Sequence, residues 1–358
     1  MDESINDSKQ VNHDPFADGV LERVVSTTEP QREIWLATQL GDEASLAYNE
    51  SISVTFSGEL DLVALRSALI DLVQRHEALR STVSKSGQEL RVAQDGSVRL
   101  VEVDLSKEDE SIKQSLLAGA AQRAVENPFD LELGPLLRLE LLTLATTEHV
   151  LIVTAHHLIC DGWSFGVIVK DLVSLYSGYV GFASGKLDQP ASFASYAVAL
   201  DSLESSKQAQ QDEAYWLEQY SSVPANIDLP TDRPRGSQRT FKSQRIDHFL
   251  DQDLVERIKK SGARSGVGFF AALLGGFSSL MQRLSGATDL VVGVPAAGQL
   301  VVGQESLVGH CVNFLPIRLS CDPAAASSDL LVATQARLLD AYEHQSCTFG
   351  SMLQQLPI

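Results

Sequence analysis

The sequence turns on His149-Val150-Leu151-Ile152-Val153-Thr154-Ala155-His156-His157-Leu158-Ile159-Cys160-Asp161-Gly162-Trp163-Ser164. The run from His149 to Ala155 is mostly apolar and β-branched, of strand length, and feeds straight into two adjacent histidines. Neighbouring residues on a strand face opposite sides, so the two histidines are expected to do different work. One faces a cleft; the other packs or hydrogen-bonds inside. Gly162 permits a sharp turn, and a helix beginning near Trp163 anchors the loop. Asp161 stands where it can accept a hydrogen bond or pair with an arginine and so stiffen that loop. A neutral imidazole is the natural side chain to accept a proton at pH 7. The stretch therefore points to proton handling, as acyl transfer requires. The plainer alternative is a buried structural pair with Asp161 as a turn residue.

Reading outward, residues 136–144 form a second strand that makes a hairpin with 149–155 through 145–148. On the other side, Phe165, Val169, Leu172, Val173 and Tyr176 mark an amphipathic helix. Upstream, residues 31–40 read as a short helix and Ser51–Phe56 alternates as a strand. Asp61 is a suitable N-cap for a helix whose face carries Leu62, Leu65, Leu69, Leu72, His76 and Leu79. On that stripe His76 reads as a packed histidine. Strands are expected at 89–93 and 100–103, with a helix over 107–126. Downstream, strands near 243–250, 290–294 and 312–319 alternate with helices near 252–262, 268–284 and 328–344. The two halves are alike in element order, a pseudo-duplicated α/β architecture. Residues 1–25, acidic and without periodicity, read as a leader or linker. The polar stretch Ser184–Pro190 separates an N-terminal lobe (26–187) from a C-terminal lobe (188–358).

With 28 basic and 47 acidic residues the net charge is −19, which disfavours nucleic acid and an anionic membrane surface as partners. The four cysteines (Cys160, Cys311, Cys321 and Cys347) show neither zinc nor disulfide spacing, and reduced thiols in a cytosolic protein are the simple reading. The N-terminus has no apolar core of a signal peptide. Phe269–Met281, the most apolar stretch, is too short to span a bilayer and reads as a buried helix. No P-loop, G-x-G-x-x-G or H-E-x-x-H occurs. Adjacent histidines diverge and do not chelate one metal, so no metal site is expected. Cys160, following Leu158 and Ile159, reads as a packing residue rather than a nucleophile.

The run His156–Ser164 resembles the H-H-x-x-x-D-G-W-S core motif of condensation domains from non-ribosomal peptide synthetases, a chloramphenicol acetyltransferase-like superfamily. Other segments agree in order: Glu29–Leu36 with the first motif, Arg75–Thr82 with R-H-E-x-L-R-T, and Asn127–Asp130 and Gly134–Arg138 with the approach to the histidine strand. Ser192–Val198 resembles the fourth motif, Val291–Gly298 and Val308–Phe314 the region of the fifth (V-G-x-F-V-N-T), and His344-Gln345 with Phe349 the sixth.

The resemblance implies two chloramphenicol acetyltransferase-like lobes forming a pseudo-dimer with a central tunnel. It implies amide formation between two acyl groups carried on phosphopantetheine arms of an upstream donor and a downstream acceptor carrier domain. No cofactor of the chain's own is implied, and an adenylation domain is the expected neighbour. Carried onto these residues, His157 is the catalytic histidine, as base or as positioning group for the tetrahedral intermediate, and His156 is largely structural. Asp161 turns away from substrate to pair with Arg75, or else with Arg80. Gly162 leaves room for the arm. Trp163, Ser164 and Asn313 fall on the tunnel or substrate side; the plainer reading of Asn313, on an apolar strand, is a hydrogen-bonded turn or edge residue. Other functional classes left open are a catalytically silent carrier-binding or recruitment domain and a related O-acyltransferase. The sequence departs from the family at Glu29-Pro30, Cys311, Phe314 and Ser346-Cys347-Thr348, and reaches Ile358 without the family's last motif, R-D-x-S-R-N-P-L. The second lobe is accordingly expected to be incomplete, with an exposed sheet edge.

Overall fold

A computed structural model describes residues 20–96, 99–182, 187–203, 206–224, 226–234, 236, 240–241, 243–301 and 303–356. Most of the expected leader, and residues 183–186 of the expected lobe boundary, lie outside the described residues. Contacts divide the chain into two compact units: residues 1–198 with 304–310, and residues 199–303 with 311–358. The division thus falls after Val198, not after 187. The segment Gln304–His310 also joins the first unit, which no composition signal marks.

The first unit contains β1 (Leu21–Ser26), α1 (Glu29–Thr38), α2 (Asp42–Leu46), β2 (Asn49–Ser57), α3 (Leu62–Arg75), β3 (Ser81–Val83), β4 (Glu89–Ala93) and β5 (Leu100–Asp104). It continues with α4 (Glu110–Glu126), β6 (Leu137–Ala145), β7 (Glu148–His156), α5 (Gly162–Tyr179) and the start of α6 (Phe193–Leu203). The leader reading therefore needs correction at its end. Residues 21–26 form a strand because β4 offers them an antiparallel partner, Val25 opposite Leu90, a long-range pairing invisible in local composition.

The main sheet has the order β2-β7-β6-β5. β6 and β7 make the expected hairpin, and β5 adds in parallel to β6. Every residue of β7 except Glu148 is buried. Val150 and Ile152 pack with Leu105, Leu142 and Ala120 of α4, while Leu151 and Val153 are buried on the other face. Burial on both faces explains why this strand reads as a continuous apolar run rather than an alternation. α3 begins where Asp61 accepts from the N–H groups of Val63 and Ala64, as its sequence implies. It packs on α5, where Arg75 and the buried His76 both hold Asp171 (2.8 and 3.0 Å).

The second unit contains α7 (Lys207–Gln219), α8 (Gln252–Arg264), α9 (Phe269–Ser285), β8 (Asp289–Ala297), α10 (Gly298–Val301), β9 (Val312–Ser320), α11 (Ser327–Glu343) and α12 (Phe349–Gln355). β8 and β9 form an antiparallel pair. Leu290, Leu315 and Ile317 from the pair pack with Trp216 of α7, Ala271 of α9 and Leu338 of α11. Arg318 grips Asp289 through two hydrogen bonds (2.9 and 2.6 Å). The strand expected near 243–250 does not form. Among the described residues no neighbouring strand completes a ladder with it, and its alternating residues lie exposed, Phe249 by 91%. Among the described residues no single helix is long and apolar enough to cross a membrane.

Candidate active site

β7 ends at His156, and the backbone N–H of His157 donates to Tyr48 O just before β2. The alternation of the strand then separates the two rings as expected. His156 is fully buried, facing Asn49 in the β2–β7 register and the edge of Phe129, with Arg138 stacked over the Phe129 ring. Its Nδ1 accepts from Leu158 N–H (3.2 Å); its Nε2 has no hydrogen-bond partner among the described residues. Burial first, then the neighbouring His157 and Arg138, hold its pKa down to about 3. His156 is thus a neutral packing histidine.

A pH effect on stability follows. A histidine in the unfolded chain protonates near pH 6.5, whereas folded His156 resists protonation until about 3. The unfolded state therefore binds the extra proton, and stability present above pH 6.5 drains away as pH falls toward 3, by on the order of 3–5 kcal/mol at the end of that range. Urea melts of the native protein and of His156→Gln between pH 7 and 4 are expected to show a shallower loss in the variant. Equal slopes would assign the acid sensitivity elsewhere.

His157 is held differently. Its Nδ1 lies 2.7 Å from the carbonyl oxygen of Cys160. A carbonyl only accepts, so Nδ1 carries the proton and, in the neutral ring, Nε2 presents its lone pair. The side chain is 23% exposed, and Nε2 lies 3.4 Å from Glu50 Oε1. The ring of His310 meets that of His157 edge to face, with centroids 4.7 Å apart. His310 is buried, and burial followed by the two neighbouring histidines keeps its pKa well below the usual range.

The loop behind the ring is fixed at several points. Buried Gln31, on the first turn of α1, donates to Leu158 O (2.8 Å); its helix starts with a capping box in which Thr28 and Gln31 exchange hydrogen bonds. Asp161 caps α5, accepting from Ser164 N–H (2.8 Å) with Ser164 Oγ at 2.7 Å. Ser164 Oγ also lies 2.9 Å from Gly309 O and accepts from Gly309 N–H (3.0 Å). Trp163 Nε1 donates to Glu305 O (2.9 Å). The thiol of Cys160 is buried, which pushes its pKa well up; it stays protonated, a packing group as its apolar neighbours imply. The glycine at Gly162 has open space where a Cβ would sit.

Several expected roles change. Arg75 serves Asp171 and the carbonyl of Asp188. Arg80 serves Glu22 (2.8 Å) and the carbonyl of Ala93. Neither arginine reaches Asp161, because α3 and the following turn direct them to nearer acids. Ser164 is fully buried and used as a staple, not turned to substrate. Asn313 spends its amide tying down the sixth-motif loop: it donates to Gln345 O and Cys347 O (2.9 and 2.8 Å) and accepts from Phe349 N–H (3.2 Å). Glu50, Gln31 and His310 were not singled out by sequence reasoning, although Gln31 and His310 lie inside the motif-like segments.

A condensation-domain family model matches residues 21–358. The chain belongs to the condensation domains. Malpinin synthetase of Mortierella alpina is 32% identical over 90% of this chain, and a chondramide synthase of Chondromyces crocatus is 30% identical over 93%. This condensation domain spans only 4% of the length of the first and 8% of the second. It spans 30% of the phosphinothricin tripeptide synthetase of Streptomyces viridochromogenes, to which it is 31% identical over 91% of its own length. The first condensation domain of the calcium-dependent antibiotic synthetase, solved with a substrate analogue, shares its fold: TM-score 0.79, 22% identity, 93% of this chain and 78% of that one. The X-domain solved in complex with OxyB from teicoplanin biosynthesis does so too, with TM-score 0.80, 24% identity, and 94% and 75% coverage. The chloramphenicol acetyltransferase-like reading of the fold therefore holds.

Proposed function

We propose that this domain joins two carrier-bound acyl groups by an amide bond in non-ribosomal peptide or hybrid polyketide–peptide biosynthesis. The carrying observation is the locked imidazole: Nδ1 tied to the Cys160 carbonyl, Nε2 free to accept, in a partly exposed position. An amine is already a nucleophile once neutral, so the site need not generate one. It must bring the two thioesters together and move a proton. The acceptor nitrogen attacks the donor's thioester carbonyl and the N–C bond forms. His157 Nε2 takes the proton that nitrogen loses. The C–S bond breaks, and the same proton passes to the departing thiolate of the donor's phosphopantetheine arm.

The arms arrive on an upstream donor and a downstream acceptor carrier domain, and the open space at Gly162 suits their passage. An adenylation domain loading the acceptor carrier is the natural neighbour. Four cysteines outside any disulfide bond fit a cytoplasmic setting.

The test offers the domain an acyl-loaded donor carrier with either an aminoacyl- or a hydroxyacyl-loaded acceptor. Amide on the first acceptor and no ester on the second is expected, read by mass spectrometry of the carrier-bound products. Ester formation would make it an O-acyltransferase. Carrier capture with no product of either kind would make it a binding domain, and both outcomes overturn the proposal.

A further inference from the structure

β2 and β7 pair antiparallel, with Asn49 opposite His156 and Glu50 opposite Ala155. Carried one residue past the end of β7, the period of two puts His157 on the face of Ala155, and Glu50, opposite Ala155, lies on the matching face of β2. Glu50 is therefore the diagonal neighbour of His157, a separation that long side chains bridge. Ala155, directly opposite, leaves it room to lean across. The result is the 3.4 Å approach of Glu50 Oε1 to His157 Nε2. With Nδ1 committed as donor to Cys160 O, a neutral ring and an ionised carboxylate would set two lone pairs against each other. A proton arriving on Nε2 removes that conflict.

We infer that Glu50 is a positioning residue of the reaction: it steadies the protonated form of His157 that arises when the acceptor's nitrogen gives up its proton. The inference rests on the condensation reading, but part of its test does not.

The other titratable groups around the ring do not take this role. Asp161, in the loop before α5, is turned to Ser164. Cys160 is a buried thiol held in its protonated form. His156 on β7 and His310 from residues 304–310 are kept neutral by burial, and Arg138 on β6 lies beyond His156 over Phe129. Burial pushes the Glu50 carboxyl up, His157 pulls it down, and Asp161 adds to the rise. When the acceptor's N–H proton reaches Nε2, the ring becomes a cation beside Glu50. When the proton leaves for the thiolate, the pair returns to its starting charge, and no other reactant is needed.

The test uses Glu50→Gln, which keeps the shape and removes the charge, and Glu50→Asp, which keeps the charge farther away. In Glu50→Gln, kcat is expected to fall at least 10-fold with little change in the acceptor KM. The acid limb of the rate profile should move to lower pH, since the ring then releases its proton more easily; Glu50→Asp should restore part of both. NMR of histidine-labelled protein should show the His157 ring losing its proton at lower pH in Glu50→Gln than in the native chain. An unchanged ring titration overturns the inference, whatever the rates do. If the native chain makes no amide at all, the condensation reading falls while the ring titration still decides the Glu50–His157 link.

Discussion

His157→Ala is expected to leave a folded domain that no longer joins an acyl donor to an aminoacyl acceptor. The ring is partly exposed, and the firm hydrogen bond it makes is to the Cys160 carbonyl, which can turn to water once the ring is gone. Helix α5 keeps its Asp161 cap, and Leu158 keeps its tie to Gln31. Circular dichroism and the melting temperature should therefore change little. The rate should fall by about 10²–10⁴, the usual contribution of a positioned proton-transfer group, measured as amide formed per minute between two loaded carriers. His157→Asn serves as a second variant, because its shorter amide cannot receive a proton as imidazole does. An undiminished product yield in both would sink the enzymatic reading.

The second large effect is expected at Gly309. A Cβ there would lie 2.0 Å from Cδ2 and 2.3 Å from Cε2 of Phe193. Phe193 is among the most deeply buried large side chains of the first unit, so it has nowhere to withdraw. Gly309 also exchanges backbone hydrogen bonds with Ser164 Oγ, and the next residue is His310, whose ring rests on His157. Gly309→Ala must push Phe193 or the backbone aside at a cost of roughly 2–3 kcal/mol, a fall in melting temperature of about 5–10 °C. Activity should drop with it, because the shift reaches His310. Combining Gly309→Ala with Phe193→Leu opens the space, and the pair is expected to be less destabilised than the sum of the two changes. Simple additivity would show that the contact is not the cause.

Much of the frame was legible because its causes are local. β7 announced itself as an unbroken apolar run because both of its faces are covered. Asp61 was readable as a cap from its place before a periodic stripe. That His156 and His157 face opposite ways came from the period of the strand alone. What failed depended on partners far away in sequence. Residues 21–26 became a strand through β4, and 243–250 did not, for want of such a neighbour among the described residues. Asp161 was assigned a distant arginine but caps its own helix through Ser164, three residues on. Arg75 and Arg80 had closer acids in Asp171 and Glu22. Glu50 is the clearest case. On its own strand it is one polar residue in an alternation, and only the register of β2 against β7 brings it to His157.

Residues 304–310 belong with the first unit although the chain on both sides of them belongs with the second. This bears on exchange of parts between synthetases. A graft cut near residue 198, transferring the histidine motif with everything before it, would leave His310, Gly309 and the carbonyl of Glu305 behind in the recipient. The imported His157 would then rest against a foreign ring, and Trp163 and Ser164 would lean on foreign backbone. A swap that respects the site has to carry this seven-residue piece as a second, separate insert, matched to its own Phe193.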